Sequence, residues 1–206
     1  MQDAHVRSWA RESHVSAEML NSVRELNHRF LDLAAMQPGD WDSPKRVGLP
    51  AEVSERLAPL SAAQKEAVAD CPYALFDLRF HDDGYWQTRL QAPRHWSVAD
   101  EATVDDSTRN FARLALFFAW HVAATASLAA PLLLGMSETT AAAFRGATIA
   151  CLPALVATET VNLTARWNDC PAYWSALTGA ASRPNSVGLR RVQLYGLQLA
   201  AAQRLA

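Results

Sequence analysis

The sequence predicts an all-α fold in which two tandem copies of one helical unit pack as a pseudo-dimer. Three observations carry that expectation. Half of the 206 residues are hydrophobic and 19% are charged, a globular composition able to bury a sizeable core. Alanine and leucine are abundant and β-branched residues sparse, which favours helices. Finally, one stretch occurs twice. Leu75 to Leu90 contains Arg79-Phe80-x-Asp82, and 87 residues further on Leu163 to Leu177 contains Arg166-Trp167-x-Asp169. Gly48 with Gly135, Leu57 with Phe144 and Leu90 with Leu177 keep the same spacing, whereas Tyr85-Trp86 returns as Tyr173-Trp174 at 88, so one residue is inserted inside the motif. Several matches at one offset, in one element order, point to internal duplication.

The organisation that follows is a flexible lead-in at 1–15, a first unit at 16–91, an acidic linker at 92–106, and a second unit at 107–206 that ends in a basic helix. In the first unit, Ser13 or Ser16 can cap a helix whose Met19, Val23, Leu26, Phe30 and Leu31 recur at three- and four-residue steps, running to about Met36. Pro38-Gly39-Asp40 breaks it, and Trp41 to Pro44 reads as a loop. Pro50 suits a first helical turn, with Val53, Leu57 and Leu60 on the buried side. Ser61-x-x-Gln64 has capping-box spacing for a short helix ending near Asp70, beyond which Pro72 forbids continuation. Leu75 to Phe80 alternates and is expected to be extended, though too short to imply a sheet; Asp82 or Asp83 then caps a helix carrying Trp86 and Leu90.

In the second unit Ser107 restarts the helical pattern. Phe111, Leu114, Ala115, Phe118 and Val122 mark a helix apolar on nearly all faces, expected to be central, with His121 as a core histidine. A third helix at about Ile149 to Thr158 holds Pro153, tolerable only in its first turn. Gly179 to Asn185 reads as a turn-rich break, after which Ser186 caps a last helix bearing Leu189, Val192, Leu194, Leu197, Leu199 and Leu205.

Several function classes are disfavoured. The apolar run from Leu114 to Met136 is long enough to span a bilayer, but Pro131 and Gly135 interrupt it, so a core helix plus a turn is expected and no membrane partner. Cys71, Cys151 and Cys170 have no metal-ligand spacing, and with a polar amino terminus they suit a reducing cytoplasm. The six histidines are scattered, and no nucleophile elbow, phosphate-binding loop or zinc-protease motif occurs. The expectation is a protein that is not an enzyme, with no cofactor and no metal.

The repeated motif allows two readings. In the structural one, Arg79 and Arg166 pair with Asp82 and Asp169, their stems pack on Phe80 and Trp167, and Trp86 and Trp174 anchor the short helices. In the functional one these arginines contact phosphate or a partner. Net charge is −2, divided as −5 over residues 1–103 and +3 over 104–206. No acidic residue follows Asp169, whereas Arg183, Arg190, Arg191 and Arg204 do. These four are the DNA-binding candidates, because phosphate contacts need positive side chains on one face; the alternative is the solvated face of an amphipathic helix.

Met19-Leu20-Asn21-Ser22-Val23-Arg24-Glu25-Leu26-Asn27, Arg46-Val47-Gly48-Leu49 and Leu78-Arg79-Phe80-x-Asp82 together resemble the FlhD family of flagellar transcriptional regulators. The likeness covers about 16–90 well and 108–205 more distantly. It implies an all-helical fold, a homodimer, and action in transcription with a second subunit, FlhC, which carries zinc and much of the DNA contact. DNA contact by the terminal helices would fall here on Arg183 to Arg204. The family's intersubunit cysteine is replaced by Phe76, and by Leu163 in the second copy, so a covalent dimer is not expected. Duplication would let one chain imitate the family's dimer, as a pseudo-dimeric monomer or a homodimer of such chains. Two functions from different classes follow: a regulator that binds an FlhC-like subunit and DNA, or a cytoplasmic adaptor or antagonist in a flagellar or type III secretion system.

Overall fold

A computed structural model describes residues 15–35, 51–91, 106–183 and 186–203. All but residue 15 of the expected lead-in at 1–15, the break and loop at 38–44, residues 46–50, the linker up to 105, Arg204 and Leu205 lie outside them. The chain is all-α apart from one two-residue ladder. Helices α1 (Ala17–Ala35), α2 (Ala51–Leu57) and α3 (Ala62–Ala69) lead to strand β1 (Phe76–Asp77) and α4 (Asp83–Gln91). The order then recurs: α5 (Asp106–Thr125), a short α6 (Ala130–Leu134), α7 (Glu138–Gly146) and α8 (Leu152–Glu159) lead to β2 (Thr164–Ala165) and α9 (Pro171–Ala181). Helix α10 (Ser186–Gln203) has no counterpart in the first round among the described residues.

Local chemistry sets these boundaries. Ser16 Oγ accepts the Met19 amide at 3.1 Å and opens α1. Ser61 and Gln64 form the reciprocal capping box of α3, which ends at Asp70. Asp82 Oδ1 accepts the Tyr85 amide at 3.0 Å at the start of α4. Pro131 and Pro153 occupy the first turns of α6 and α8, where a missing N–H costs nothing. Gly135 closes α6 at φ 69°, and a Cβ there would lie 2.9 Å from Arg166 Nη2, so both conformation and space call for glycine. Two expectations fail. Gly179 lies inside α9, which runs on to Ala181 because Leu177, Thr178 and Ala181 are buried. His121 is exposed: α5 buries Phe111, Ala115, Leu116, Ala119 and Val122, and His121 falls on the opposite side with Leu114, itself 42% exposed.

The two rounds of elements interlock. Strands β1 and β2 pair antiparallel, Phe76 opposite Ala165 and Asp77 opposite Thr164. Helix α1 packs on α5, α4 crosses to α7, and α9 crosses to α2 and α3. Each closing helix therefore lies on elements of the other round, and the buried side chains from Met19 to Ala200 form one continuous core. A second tie is polar. The fully buried Glu159 carboxylate, at the end of α8, accepts the Tyr85 hydroxyl at 2.7 Å and the Asn162 amide at 2.9 Å, with Arg89 Nε at 3.4 Å.

Among the described residues no single helix is long and apolar enough to cross a membrane. The suspect run from Leu114 to Met136 is divided between α5, a 3-10 turn at Ser127–Ala129, and α6. Only α7 together with Ile149–Val156 reaches the required composition, and that pair is bent by 97°.

Candidate interaction surface

The recurring motif fastens each round of elements, but its two occurrences are built differently. The residue two places after each strand adopts the left-handed region, Arg79 at φ 58° and Trp167 at φ 55°, a conformation non-glycine residues hold only where surroundings enforce it. These positions are 88 apart, as are the strands and the buried pair Trp86 and Trp174. The 87-residue match of Arg79, Phe80 and Asp82 to Arg166, Trp167 and Asp169 is therefore out of step by one, and the residue that corresponds to Phe76 in the second round is Thr164 rather than Leu163. Both tryptophans anchor as expected, but Trp86 Nε1 donates to Arg79 O at 3.0 Å while Trp174 Nε1 reaches Arg166 O at 2.9 Å, one residue earlier in the turn.

The shift separates the fates of the two arginines. Arg79 is exposed, pairs with Asp82 and lies 4.5 Å over the Tyr85 ring. The Tyr85 amide and then the Arg79 guanidinium hold the Asp82 carboxyl below its usual range. Phe80 is fully buried and stacks on Trp86. Arg166 instead points inward, 2% exposed, and the expected Arg166–Asp169 pair does not form: Asp169 is exposed on the far side of the turn. The Arg166 guanidinium lies 4.6 Å over the Trp167 ring and donates to Leu132 O at 3.3 Å, Pro131 O at 3.5 Å and Gln203 Oε1 at 3.2 Å. Burial without a carboxylate in contact lowers its pKa to about 10.

Helix α10 is docked by a polar seam that composition does not reveal. Tyr73 and Tyr173 meet hydroxyl to hydroxyl at 3.0 Å, and the Tyr73 hydroxyl donates to Gln193 O at 3.0 Å. Gln193 Nε2 donates to Asp70 O at 3.2 Å. Gly196 lies so close that a Cβ would fall 1.9 Å from Tyr73 Oη. Burial pushes both tyrosine hydroxyls far above their ordinary pKa, and the Cys71 thiol beside them up to about 12. The seam turns Leu189, Val192, Leu197 and Ala200 inward.

The opposite face carries Val187, Arg190, Arg191, Leu194 and Tyr195, at alternating steps of three and one, and so forms a single stripe. Val187 is 64% exposed, Leu194 60% and Tyr195 44%. Arg190 and Arg191 are exposed on it, with no ion pair among the described residues; Arg183 is exposed in the turn before the helix. Of the four DNA-binding candidates the fold thus brings two onto one face, places a third nearby, and leaves Arg204 outside the described residues. Val187, Leu194 and Tyr195 were missed as surface residues. Their signal was an apolar count too high for a helix with a single buried side.

No family model, curated protein or solved structure matches the chain.

A cavity of about 720 Å³ opens between α10 and the α6–α7 turn, lined by His81, Asp83, Gly135, Ser137, Glu138 and Gln203 among others. Its central carboxylate is already engaged, Asp83 Oδ1 accepting the Ser137 and Thr140 hydroxyls. His81 is turned toward Asp77, whose hydrogen bond raises the imidazole pKa. These contacts tie the β1–α4 turn to the start of α7. Among the described residues no three His, Cys, Asp or Glu side chains are placed to hold a metal ion.

Proposed function

We propose that the protein is a non-enzymatic regulator of the FlhD kind, acting in the cytoplasm on flagellar or related genes through contact with an FlhC-like subunit. The observation that supports this best is the outward face of α10, where large apolar side chains stand in solvent beside two unpaired arginines. Interlocked rounds of one element order fit the idea of a duplicated chain that presents, as one molecule, what a homodimer presents as two. DNA is the second contact, through Arg183, Arg190 and Arg191. Three arginines would give log affinity a slope against log salt of about −3.

A second reading, an adaptor or antagonist without DNA contact in a flagellar or type III secretion system, is favoured by one feature. The two stripe arginines are interleaved with Val187, Leu194 and Tyr195, which phosphates would leave exposed. A gel-shift titration against salt, with the chain alone and with an FlhC-like subunit, separates the two. A shift in either condition supports the regulator. No shift in both, with subunit capture insensitive to nuclease, supports the adaptor; no shift and no capture removes both.

A further inference from the structure

The stripe on α10 also defines the chemistry of what covers it. We infer that its partner is an amphipathic helix of another protein, with an apolar seam edged by aspartate and glutamate. This rests on reading α10 as a contact surface, but not on any role in gene control.

The first argument is geometric. Val187 to Leu194 spans two turns of a convex helix, about 11 Å along its axis, with Tyr195 beside the second. The seam of Tyr73, Gln193 and Gly196 fixes the rotation of α10, so the stripe is presented rather than mobile about its axis. A narrow apolar ridge of this kind is covered by another helix lying along it, with anchors at three- and four-residue steps.

The second argument is charge. Arg190 and Arg191 flank the ridge, and no acidic residue follows Asp169, so α10 has no carboxylate of its own to neutralise them. A partner edged with carboxylates supplies charge-assisted hydrogen bonds; one edged with lysine brings like charges together. The same count argues against a second α10 as occupant, since pairing two copies would gather four arginines with no carboxylate between them. Duplex DNA satisfies the arginines but offers Val187 and Leu194 no apolar surface.

Fluorescence anisotropy on the full chain tests this with three probes: a helical peptide of about 20 residues with a leucine seam edged by glutamate, the same seam edged by lysine, and a short duplex. The glutamate-edged peptide is expected to bind in roughly the 10–100 μM range and to weaken about tenfold on going to high salt. Leu194→Asp should abolish binding. The double change Arg190→Glu with Arg191→Glu should weaken the glutamate-edged peptide at least tenfold and create binding of the lysine-edged one, a gain that misfolding cannot produce. Equal binding of both peptides by the unaltered chain, no binding of the glutamate-edged peptide up to about 1 mM, or tighter binding of the duplex overturns the inference. So does self-association in sedimentation that Leu194→Asp dissolves, because the occupant is then a second copy. A failed gel shift with an intact peptide result rejects gene control alone; a failed peptide result with intact subunit capture places that contact elsewhere.

Discussion

Gly196→Ala and Gly188→Ala are the same substitution in the same helix, and their surroundings predict opposite signs. In a helix interior alanine is favoured over glycine by about 1 kcal/mol, less near an end. At Gly188 a Cβ meets nothing within 4 Å, so the gain of about 0.5–1 kcal/mol is kept. At Gly196 the new Cβ falls 1.9 Å from Tyr73 Oη and 2.4 Å from Cζ. Tyr73 cannot yield by swinging away: its ring is fully buried, edge-on to Trp167 with centroids 5.3 Å apart. Helix α10 must therefore retreat, which breaks the bond from the Tyr73 hydroxyl to Gln193 O and that from Gln193 Nε2 to Asp70 O. Overpacking at about 1–3 kcal/mol and two lost hydrogen bonds at about 1 kcal/mol each, less the propensity gain, leave a net loss of about 2–4 kcal/mol. For a chain of this size that lowers Tm by roughly 4–16 °C, whereas Gly188→Ala raises it by roughly 1–4 °C. Thermal unfolding followed by far-ultraviolet circular dichroism reads both. In a Tyr73→Ala background most of the Gly196→Ala penalty should go, because its main cause is that ring; the tighter contact left is with Tyr173 Cε2 at 3.1 Å. A Gly196→Ala protein as stable as its parent would refute the seam as the device that holds α10.

Three other outcomes are expected. Gln203→Glu gives the buried Arg166 guanidinium the carboxylate it lacks; since residue 203 is exposed the gain is held to about 1 kcal/mol, a rise of roughly 2–4 °C in Tm, and an unchanged Tm would contradict the placement of Gln203 over Arg166. Asn27→Ala should cost about 3 kcal/mol in urea unfolding, because the Asn27 amide donates to Ala69 O and Tyr73 O and its oxygen accepts the Leu75 amide, all of which it would leave unsatisfied in the core. His81 should titrate above the ordinary histidine value by proton resonance and return toward it in Asp77→Asn. As its folded pKa is the raised one, its small contribution to stability is complete below the ordinary value and is lost as pH rises through the raised one.

The helical class and most helix boundaries could be read from residues because their causes are local. Ser16, the Ser61–Gln64 box, Asp82 and the two prolines act within one turn of where they stand. The recurrence of the motif was legible for the same reason. Its register was not, because the sequence identities align at 87, whereas the strands, the left-handed positions at Arg79 and Trp167 and the buried tryptophans all stand 88 apart. Nor could spacing tell that β1 and β2 pair with each other, that α4 and α9 cross between rounds, or that Arg166 turns inward. Those depend on contacts between residues far apart in sequence, 34 positions for Arg166 with Leu132 and 57 for Asp83 with Thr140, and an arginine three residues from an aspartate looks the same at both places. Of the surface, Arg190 and Arg191 could be chosen from charge alone. The apolar half of the stripe could not, since Leu194 and Leu197 differ only in which side of α10 the Tyr73 seam turns inward.

That seam also bears on how the two rounds differ. Helix α10 is the element, among those described, that follows one round and not the other, and it lies over the second motif. Its terminal residue Gln203 covers Arg166, and Gly196 and Gln193 close over Tyr73 and Tyr173. Arg166 stands where the first round has the buried Leu78, 88 residues earlier, so it is turned inward beneath Gln203, while Arg79, whose counterpart in position is Trp167, stays exposed and pairs with Asp82. The covering helix buries one side on the seam and leaves Val187, Leu194 and Tyr195 exposed on the other. The cover of Gln203 over Arg166 and the outward stripe of Val187, Leu194 and Tyr195 are thus two sides of one arrangement, the docking of α10. Substitutions that loosen the seam should therefore uncover Arg166 and disorder the stripe together, while substitutions on the stripe should leave Arg166 buried.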